Sequence, residues 1–294
     1  MSRTYKATGI NLKAIPIGES DRLLTILTPE YGLIRVVAPG VRKPKSKLGG
    51  RSELFVVNQL LISQGRSLDR INQAETILSY AGLSQNLGKL AAGQYLAELV
   101  LHQALSEHPQ TELFYLLSEH LQRIEKLQNK TDRLWHTQLI SYLAHGIYHL
   151  LAIEGIAPQV QICCITGHPL QPNFNHPNWQ VGFSIDSGGA IKLADTSIIS
   201  SSQQQVRMNT MLNANQLSLF QQLAQPQLNA QVELTSHQDW VIVEKLLRKY
   251  TQYHLGYSIR SAALIDTYLG FAYGNSFGMG RSQETGDRRQ ELGE

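Results

Sequence analysis

Cysteine is almost missing from this chain: 294 residues contain two, and those two, Cys163 and Cys164, are neighbours. Adjacent cysteines bridge each other only with strain, so a disulfide framework is excluded and a reducing compartment is expected. No apolar stretch approaches the roughly 18 residues that a membrane helix needs. The opening MSRTYKATGINLK lacks the apolar core of a secretory signal, so a cytoplasmic chain with no membrane partner is expected. Charged residues make up only 17% and aromatics 7%, against 42% hydrophobic, which is the balance of a folded rather than a disordered chain. Its length suits one large core or two to three smaller ones.

Catalytic signatures are missing too. There is no G-x-S-x-G elbow, no phosphate loop ending in G-K-[ST], no H-E-x-x-H, and no dense acidic cluster of the kind a two-metal nuclease needs. Gly278-Met279-Gly280 belongs to a polar tail and opens no helix, so it is no nucleotide site. The reading is a chain that is not an enzyme and takes no cofactor. His145 and His149, four apart on a helix, have a metal-like spacing, but Gly146 stands where a metalloprotease would carry its glutamate. Packing or surface histidines are the plainer account, and a helical metal-dependent hydrolase is the enzyme alternative.

What is present is an uneven charge. Residues 1–70 hold twelve basic and five acidic side chains, a net of +7; the whole chain is +3, so the remainder sums to −4. A basic head on a mildly acidic body points the head toward a polyanion. The head also reads as strands. Thr8, Ile10, Leu12 and Ala14 alternate with Gly9, Asn11 and Lys13, and Pro16 and Gly18 close that run. Leu23–Thr28 and Leu33–Ala38 flank the turn Pro29-Glu30-Tyr31-Gly32, and Leu54–Ile62 and Leu68–Ile77 supply two further runs. Five short strands in about 80 residues suit a small closed barrel of the oligonucleotide-binding (OB) type.

Between the third and fourth strands lies Pro39-Gly40-Val41-Arg42-Lys43-Pro44-Lys45-Ser46-Lys47-Leu48-Gly49-Gly50-Arg51, with five positive charges and no acid. Read as a mobile loop beside a barrel groove, it is placed to meet phosphates. Arg35, Arg42, Lys43, Lys45, Lys47 and Arg51 are the candidate DNA-binding residues. A solvated loop, or a module that binds an acidic peptide instead of nucleic acid, is the competing reading.

From about Gly82 the period becomes helical, at Leu87–Val100, Leu113–Leu127 and Leu134–Ile153. Residues 163–200 read as loop and hairpin. Helices return near Asn215–Leu223 and at Trp240–Leu255, the latter with Ser236 and Asp239 available as caps. Arg248 and Lys249 lie off the apolar face of that last helix, which is more simply a solvated side than a DNA contact. The fold class is therefore α+β: residues 1–80 form an OB domain, 81–275 a helical domain with an insert at 160–200, and 276–294 a disordered tail.

Three stretches in order, Gly18-Glu19-Ser20-Asp21-Arg22-Leu23-Leu24, Thr28-Pro29-Glu30-Tyr31-Gly32 and Ala38 to Lys47, resemble the N-terminal signature of the RecO family of bacterial DNA repair proteins. Leu246-Leu247-Arg248-Lys249-Tyr250-Thr251-Gln252-Tyr253-His254-Leu255 is also similar to that family, so the likeness covers the chain to about residue 270. The resemblance implies a nucleoid-associated recombination mediator with an OB barrel, a helical domain and a small zinc-finger-like insert. Such proteins bind single- and double-stranded DNA and anneal complementary strands. They engage RecR, RecF and the acidic C-terminal tail of single-strand-binding protein (SSB), and help load recombinase. Many relatives carry two Cys-x-x-Cys pairs in the insert. Here Cys163 fits the first position, Thr166 stands at the second, and Lys192 and Asp195 stand where the other pair would be, so the insert is degenerate and no metal is expected.

Overall fold

The computed structural model describes residues 4–128, 132–193, 207–229 and 236–274, the side chains of 271–274 excepted. Five strands open the chain: β1 (Thr4–Ile17), β2 (Asp21–Thr28), β3 (Gly32–Ala38), β4 (Val56–Ser63) and β5 (Asp69–Ser79). They close a barrel in the order β1-β2-β3-β5-β4, in which β3 and β5 run parallel and every other pairing is antiparallel. This is the OB arrangement that the strand count predicts. β1 outruns its expected end, because Pro16 still faces Arg22 across the β2 ladder at the barrel rim; a proline at a strand end forfeits little.

Alternation along the strands builds two cores. Ala7, Leu24, Ile26, Val36, Ala38, Val41, Leu60, Ile62 and Ile71 fill the barrel. Ile10, Leu12, Leu27, Phe55 and Val57 belong instead to the core of the helical region. Alternation sends Ile10 and Leu12 toward the helices and Ala7 inward, and a bulge between Asn11 and Lys13 then turns Lys13 outward opposite Thr25. Each fully buried side chain of this size contributes about 1.5–3 kcal/mol. The predicted period of two from Thr8 to Ala14 therefore holds only in part, since β1 is buried on both faces around Gly9–Leu12.

The helical region contains α1 (Leu87–Gln103), α2 (Thr111–Glu125), α3 (Arg133–Ile153), α4 (Ala214–Gln222), α5 (His237–Leu255) and α6 (Ala262–Gly274). Asn86 caps α1, Asp132 caps α3, and Asn213 with Gln216 forms a capping box on α4. The expected side-chain cap on α5 is not made: Asp239 instead accepts from Gln216 Nε2 at 2.9 Å and ties α5 to α4. The expected hairpin stands as β6 (Gln180–Ser184) and β7 (Gly189–Ile191), and β8 (Thr210–Asn213) joins it on β6 to make a three-stranded sheet of order β7-β6-β8. The tail expected at 276–294 lies outside the described residues, as does Asp195.

The barrel is docked on the helices through its β2–β3 turn. Leu33 N donates to Leu105 O (2.9 Å), Glu107 N to Tyr31 O (3.0 Å) and Gln110 N to Pro29 O (2.9 Å), joining the turn to the α1–α2 linker. Gly32 makes this approach possible: its φ is +66°, and a Cβ there would lie 2.0 Å from Leu105 O.

Candidate nucleic-acid interface

Strand register decides which basic side chains leave the barrel together. Lys13 faces Thr25 and Thr25 faces Arg35, so Lys13 and Arg35 flank a threonine in one row across β1, β2 and β3. Both cations are exposed. The next outward row is Ile15, Leu23 and Val37, of which Ile15 remains 42% exposed.

The basic loop between β3 and β4 is not loose. Successive short turns run through it: Lys43 N donates to Gly40 O (3.1 Å), Ser46 N to Lys43 O (3.2 Å), Gly49 N to Ser46 O (3.2 Å) and Ser52 N to Gly49 O (3.1 Å). Val41 plugs into the barrel core, and Leu48 packs against it. At the far end, Asn11 and Asn58 each donate through Nδ2 to Arg51 O, at 2.8 and 2.9 Å. At the near end, Arg42 N donates to Ser20 O (2.9 Å) and Gly40 N to Asp21 Oδ1 (2.8 Å). The Gly40 amide, then the Ser20 hydroxyl, hold the Asp21 carboxyl below the ordinary carboxylate range, and the charges of Arg70 and Lys43 add to this. The mobile loop expected from its glycines is therefore a pinned one, with its cations on a fixed frame.

That frame splits the six candidate residues. Arg35 stands on the outer β3 face beside Lys13. Arg42 and Lys43 sit by the β1–β2 turn, where Arg42 Nη1 donates to Gly18 O at 3.3 Å. Lys45 is exposed at the loop crest with φ +61°. Lys47 and Arg51 reach the opposite side and wall a groove of about 580 Å³ over β1, β4 and β5, together with Lys6. Gln59, Asn72, Gln73 and Glu75 also line it. Lys6 and Lys13 were legible as charges, but only the ladder register assigns them to faces.

The histidine pair acquires a third member from α2. His120 Nε2 lies 3.1 Å from His149 Nδ1, and Arg123 Nη1 lies 3.1 Å from His145 Nδ1. His145 Nε2 and His149 Nε2 both reach Gln225 O, at 2.8 and 3.2 Å. A guanidinium only donates and a carbonyl only accepts. Hence His145 and His149 carry their protons on Nε2, and His120 donates from Nε2 to His149. All three rings are neutral in this chain of bonds. Burial lowers each of them, His120 to about 2 and His145 to about 4. Arg123 occupies the position a cation would need and also donates to Pro226 O at 2.8 Å. The cluster clamps the 225–226 backbone onto α2 and α3; it has the donors of a structural knot, not of a hydrolase.

Among the described residues of the insert no ligand set gathers around Cys163. Burial pushes the Cys163 thiol up, but the Thr166 hydroxyl and the amides of Lys192, Thr166 and Ile165 hydrogen-bond its sulfur and hold it below the usual thiol value. The Lys192 amide stands 3.4 Å from Cys163 Sγ. Among the described residues Cys164 has no such set of donors, and burial, with the neighbouring Cys163, pushes its thiol up to about 11. Among the described residues no group of three or more His, Cys, Asp or Glu side chains is arranged to hold a metal, and no helix is long and apolar enough to cross a membrane.

Comparison with known proteins agrees with this architecture. Residues 1–80 match the family model for the N-terminal part of recombination protein O, and residues 84–263 match that for its C-terminal part. The chain is similar to the DNA repair protein RecO of Trichodesmium erythraeum (strain IMS101), 76% identical over 276 residues that cover 92% of this chain and 96% of that one. It is 50% identical over 298 residues to the DNA repair protein RecO of Nostoc punctiforme, covering 92% and 97% of the two chains. The DNA repair protein RecO of Synechococcus elongatus is 45% identical over 269 residues, again covering 92% and 97%.

Proposed function

This chain belongs to the RecO family of DNA repair proteins, and from that premise we propose that it is a non-catalytic recombination mediator that binds single- and double-stranded DNA without sequence preference and anneals complementary strands. The observation that carries this reading is the pinned basic loop. Arg42, Lys43, Lys45, Lys47 and Arg51 are held on the barrel by backbone bonds, with Arg35 below them on β3. A fixed frame spares the ordering cost a floppy loop would incur on meeting a backbone. Phosphate contacts give affinity but no sequence choice. Annealing two polyanions needs their charge neutralised and their bases left free, which a basic surface does without bond chemistry. ATP, a metal or a cofactor is not required for it. In the cell the chain acts at the nucleoid in the cytoplasm, with RecR, RecF and the acidic tail of SSB as partners, and helps recombinase onto SSB-coated strands.

The test is a titration of labelled single-stranded DNA at several salt concentrations, with native protein and with Arg42, Lys43, Lys45 and Lys47 all changed to Gln. The variant should bind every sequence more weakly and show a log–log salt slope smaller by roughly 3 units, at about 0.7–0.9 per lost phosphate contact. An unchanged slope places the DNA elsewhere. Native protein that ignores bare oligonucleotides but binds an acidic peptide would replace this reading with that of a protein-interaction module.

A further inference from the structure

The barrel carries two separate basic faces, and β1 shows why. Its first half, Thr4 to Ile10, pairs with β4; its second half, from Ile10 onward, pairs with β2. Lys6 projects from the first half, opposite Leu61, and Lys13 from the second, opposite Thr25. Between them Ile10 and Leu12 are covered by the helical core. Seven residues of extended chain span about 23 Å. The two lysines thus stand on opposite flanks of a seam closed by packing.

Each face has its own cations from elsewhere in the fold. Arg35 joins Lys13, with Arg42 and Lys43 beside the β1–β2 turn. Lys47 and Arg51 join Lys6 over the groove. Among the described residues neither Lys6 nor Lys47 is held in an ion pair. The groove floor mixes amides, Gln59, Gln73 and Asn72, with the apolar Leu61 and Ala74, and Glu75 is its single acid. Register puts Lys6, Leu61 and Gln73 in one outward row and Gln59 with Glu75 in the next. Amides and cations together suit a sugar–phosphate backbone, which offers acceptors and negative charge along its whole length.

We propose that the groove walled by Lys6, Lys47 and Arg51 is a second strand-binding track, which holds one single strand while the Lys13–Arg35 face holds another. The proposal rests on the DNA-binding reading above and goes further, because it makes one barrel a two-strand device. Two strands held on one molecule meet as an intramolecular event, which raises their effective concentration without any new contact. The loop that separates the tracks is the same pinned segment that supplies cations to both.

The test counts strands per chain. Non-complementary oligonucleotides of about 10 nucleotides, within the range one OB barrel accommodates, carry donor and acceptor dyes. Energy transfer then reports two strands on one protein, and analytical ultracentrifugation fixes the ratio per chain. Native protein should take two strands. Lys6→Glu with Gln73→Glu should reduce this to one and abolish energy transfer, and so should Lys13→Glu with Arg35→Glu on the other face; the four changes together should remove binding. Annealing should slow by at least about tenfold in either double variant. All these side chains are on the surface, and circular dichroism checks that each variant is folded. A native ratio of one overturns the proposal. So does a groove variant that still takes two strands, or one that loses both, since the latter means a single continuous track. Native protein that binds no oligonucleotide at all removes the DNA-binding reading itself, and this proposal with it.

Discussion

The barrel keeps its cations at the surface, whereas the helical region also draws some of its own into the packing. In the helices the buried cations are spoken for. Arg248 pairs with Glu244 at 2.8 Å and with Asp266 at 2.7 Å, and Lys89, 2% exposed, donates to Glu125 O at 2.9 Å and also to Leu127 O, closing the end of α2. Arg123 is divided among Glu119, His145 and Pro226. On the barrel, Lys6, Lys13, Arg35, Lys43, Lys45 and Lys47 are exposed and in no ion pair among the described residues, with Arg22–Glu53 the exception. Charge that is satisfied internally positions the chain; charge left facing solvent in an acid-poor setting is available to a polyanion. The difference also explains why net charge alone says little, since +3 averages two regions with different uses for the same residue types.

The sharpest way to break this comparison is to remove a paired cation from the helical region. Arg248→Met strands the Glu244 carboxylate, 2% exposed, against α1 and α6. Burial already pushes that carboxyl up, and Arg248 is what opposes it. Removing one partner of a buried pair costs about 3–5 kcal/mol. Urea unfolding should show a loss of that size, and adding Glu244→Leu should recover most of it. DNA affinity of the folded protein should stay unchanged. A loss under about 1 kcal/mol, or a weakened DNA affinity, would mean that Arg248 belongs with the solvent-facing set.

Acid should separate the regions next. The native state keeps His120, His145 and His149 neutral, each lowered chiefly by burial, whereas the unfolded chain protonates its histidines near 6.5. Below 6.5 the unfolded chain therefore binds protons that the native chain refuses, so stability falls with acid; above 6.5 the histidine contribution is fully present. For His145, lowered to about 4, the loss at pH 5 is roughly 2 kcal/mol, before most carboxylates titrate. Urea midpoints at pH 7.5 and 5.0 measure it, and His145→Gln should flatten part of the dependence. Equal midpoints at the two pH values would show that the clamp on Gln225 tolerates charge.

How much of this was legible before the fold was known follows from how local each signal is. Strands and the turn at Gly32 were readable because alternation and a left-handed glycine are written within a few residues. The basic loop was readable as composition. Its division between two faces was not, because that depends on Arg51 O meeting Asn11 and Asn58, and on which residues of β1 look outward past a bulge. His120 stayed hidden because it joins His145 and His149 across 25 and 29 residues with no spacing rule. α6 was missed for a related reason: its start is capped by a distant residue, Glu98 on α1, which accepts from Arg260 N and Ser261 N at 2.9 and 2.7 Å. β8 pairs with β6 along Gln180–Phe183, a partnership too short to announce itself in a four-residue strand.

The smallest expected effect is none at all, and it concerns the insert. The purified protein should carry no stoichiometric zinc, and a chelator should leave its thermal midpoint unmoved. A structural zinc takes four thiolate or imidazole ligands at tetrahedral corners. At the position where a second thiolate would stand, the Thr166 hydroxyl bonds to Cys163 Sγ, and the amides of Ile165, Thr166 and Lys192 complete the donors around that sulfur. This arrangement satisfies Cys163 from the protein itself. Cys164 serves the packing instead. Its N–H donates to Ala190 O at 2.9 Å, and its side chain lies against the core, where burial drives the thiol up to about 11. A thiol held that high is protonated at neutral pH and is a poor metal ligand. What holds the segment is then backbone and packing: Cys163 N donates to His168 O (2.7 Å), Gly167 N to Cys163 O (2.8 Å), and Val160, Leu170 and Phe183 are buried around it. Elemental analysis near one zinc per chain, lost in Cys163→Ser together with the fold of this segment, would overturn the argument. Zinc-free protein in which Thr166→Val lowers the thermal midpoint, while EDTA does not, would show that hydrogen bonds to Cys163 have taken over from a metal.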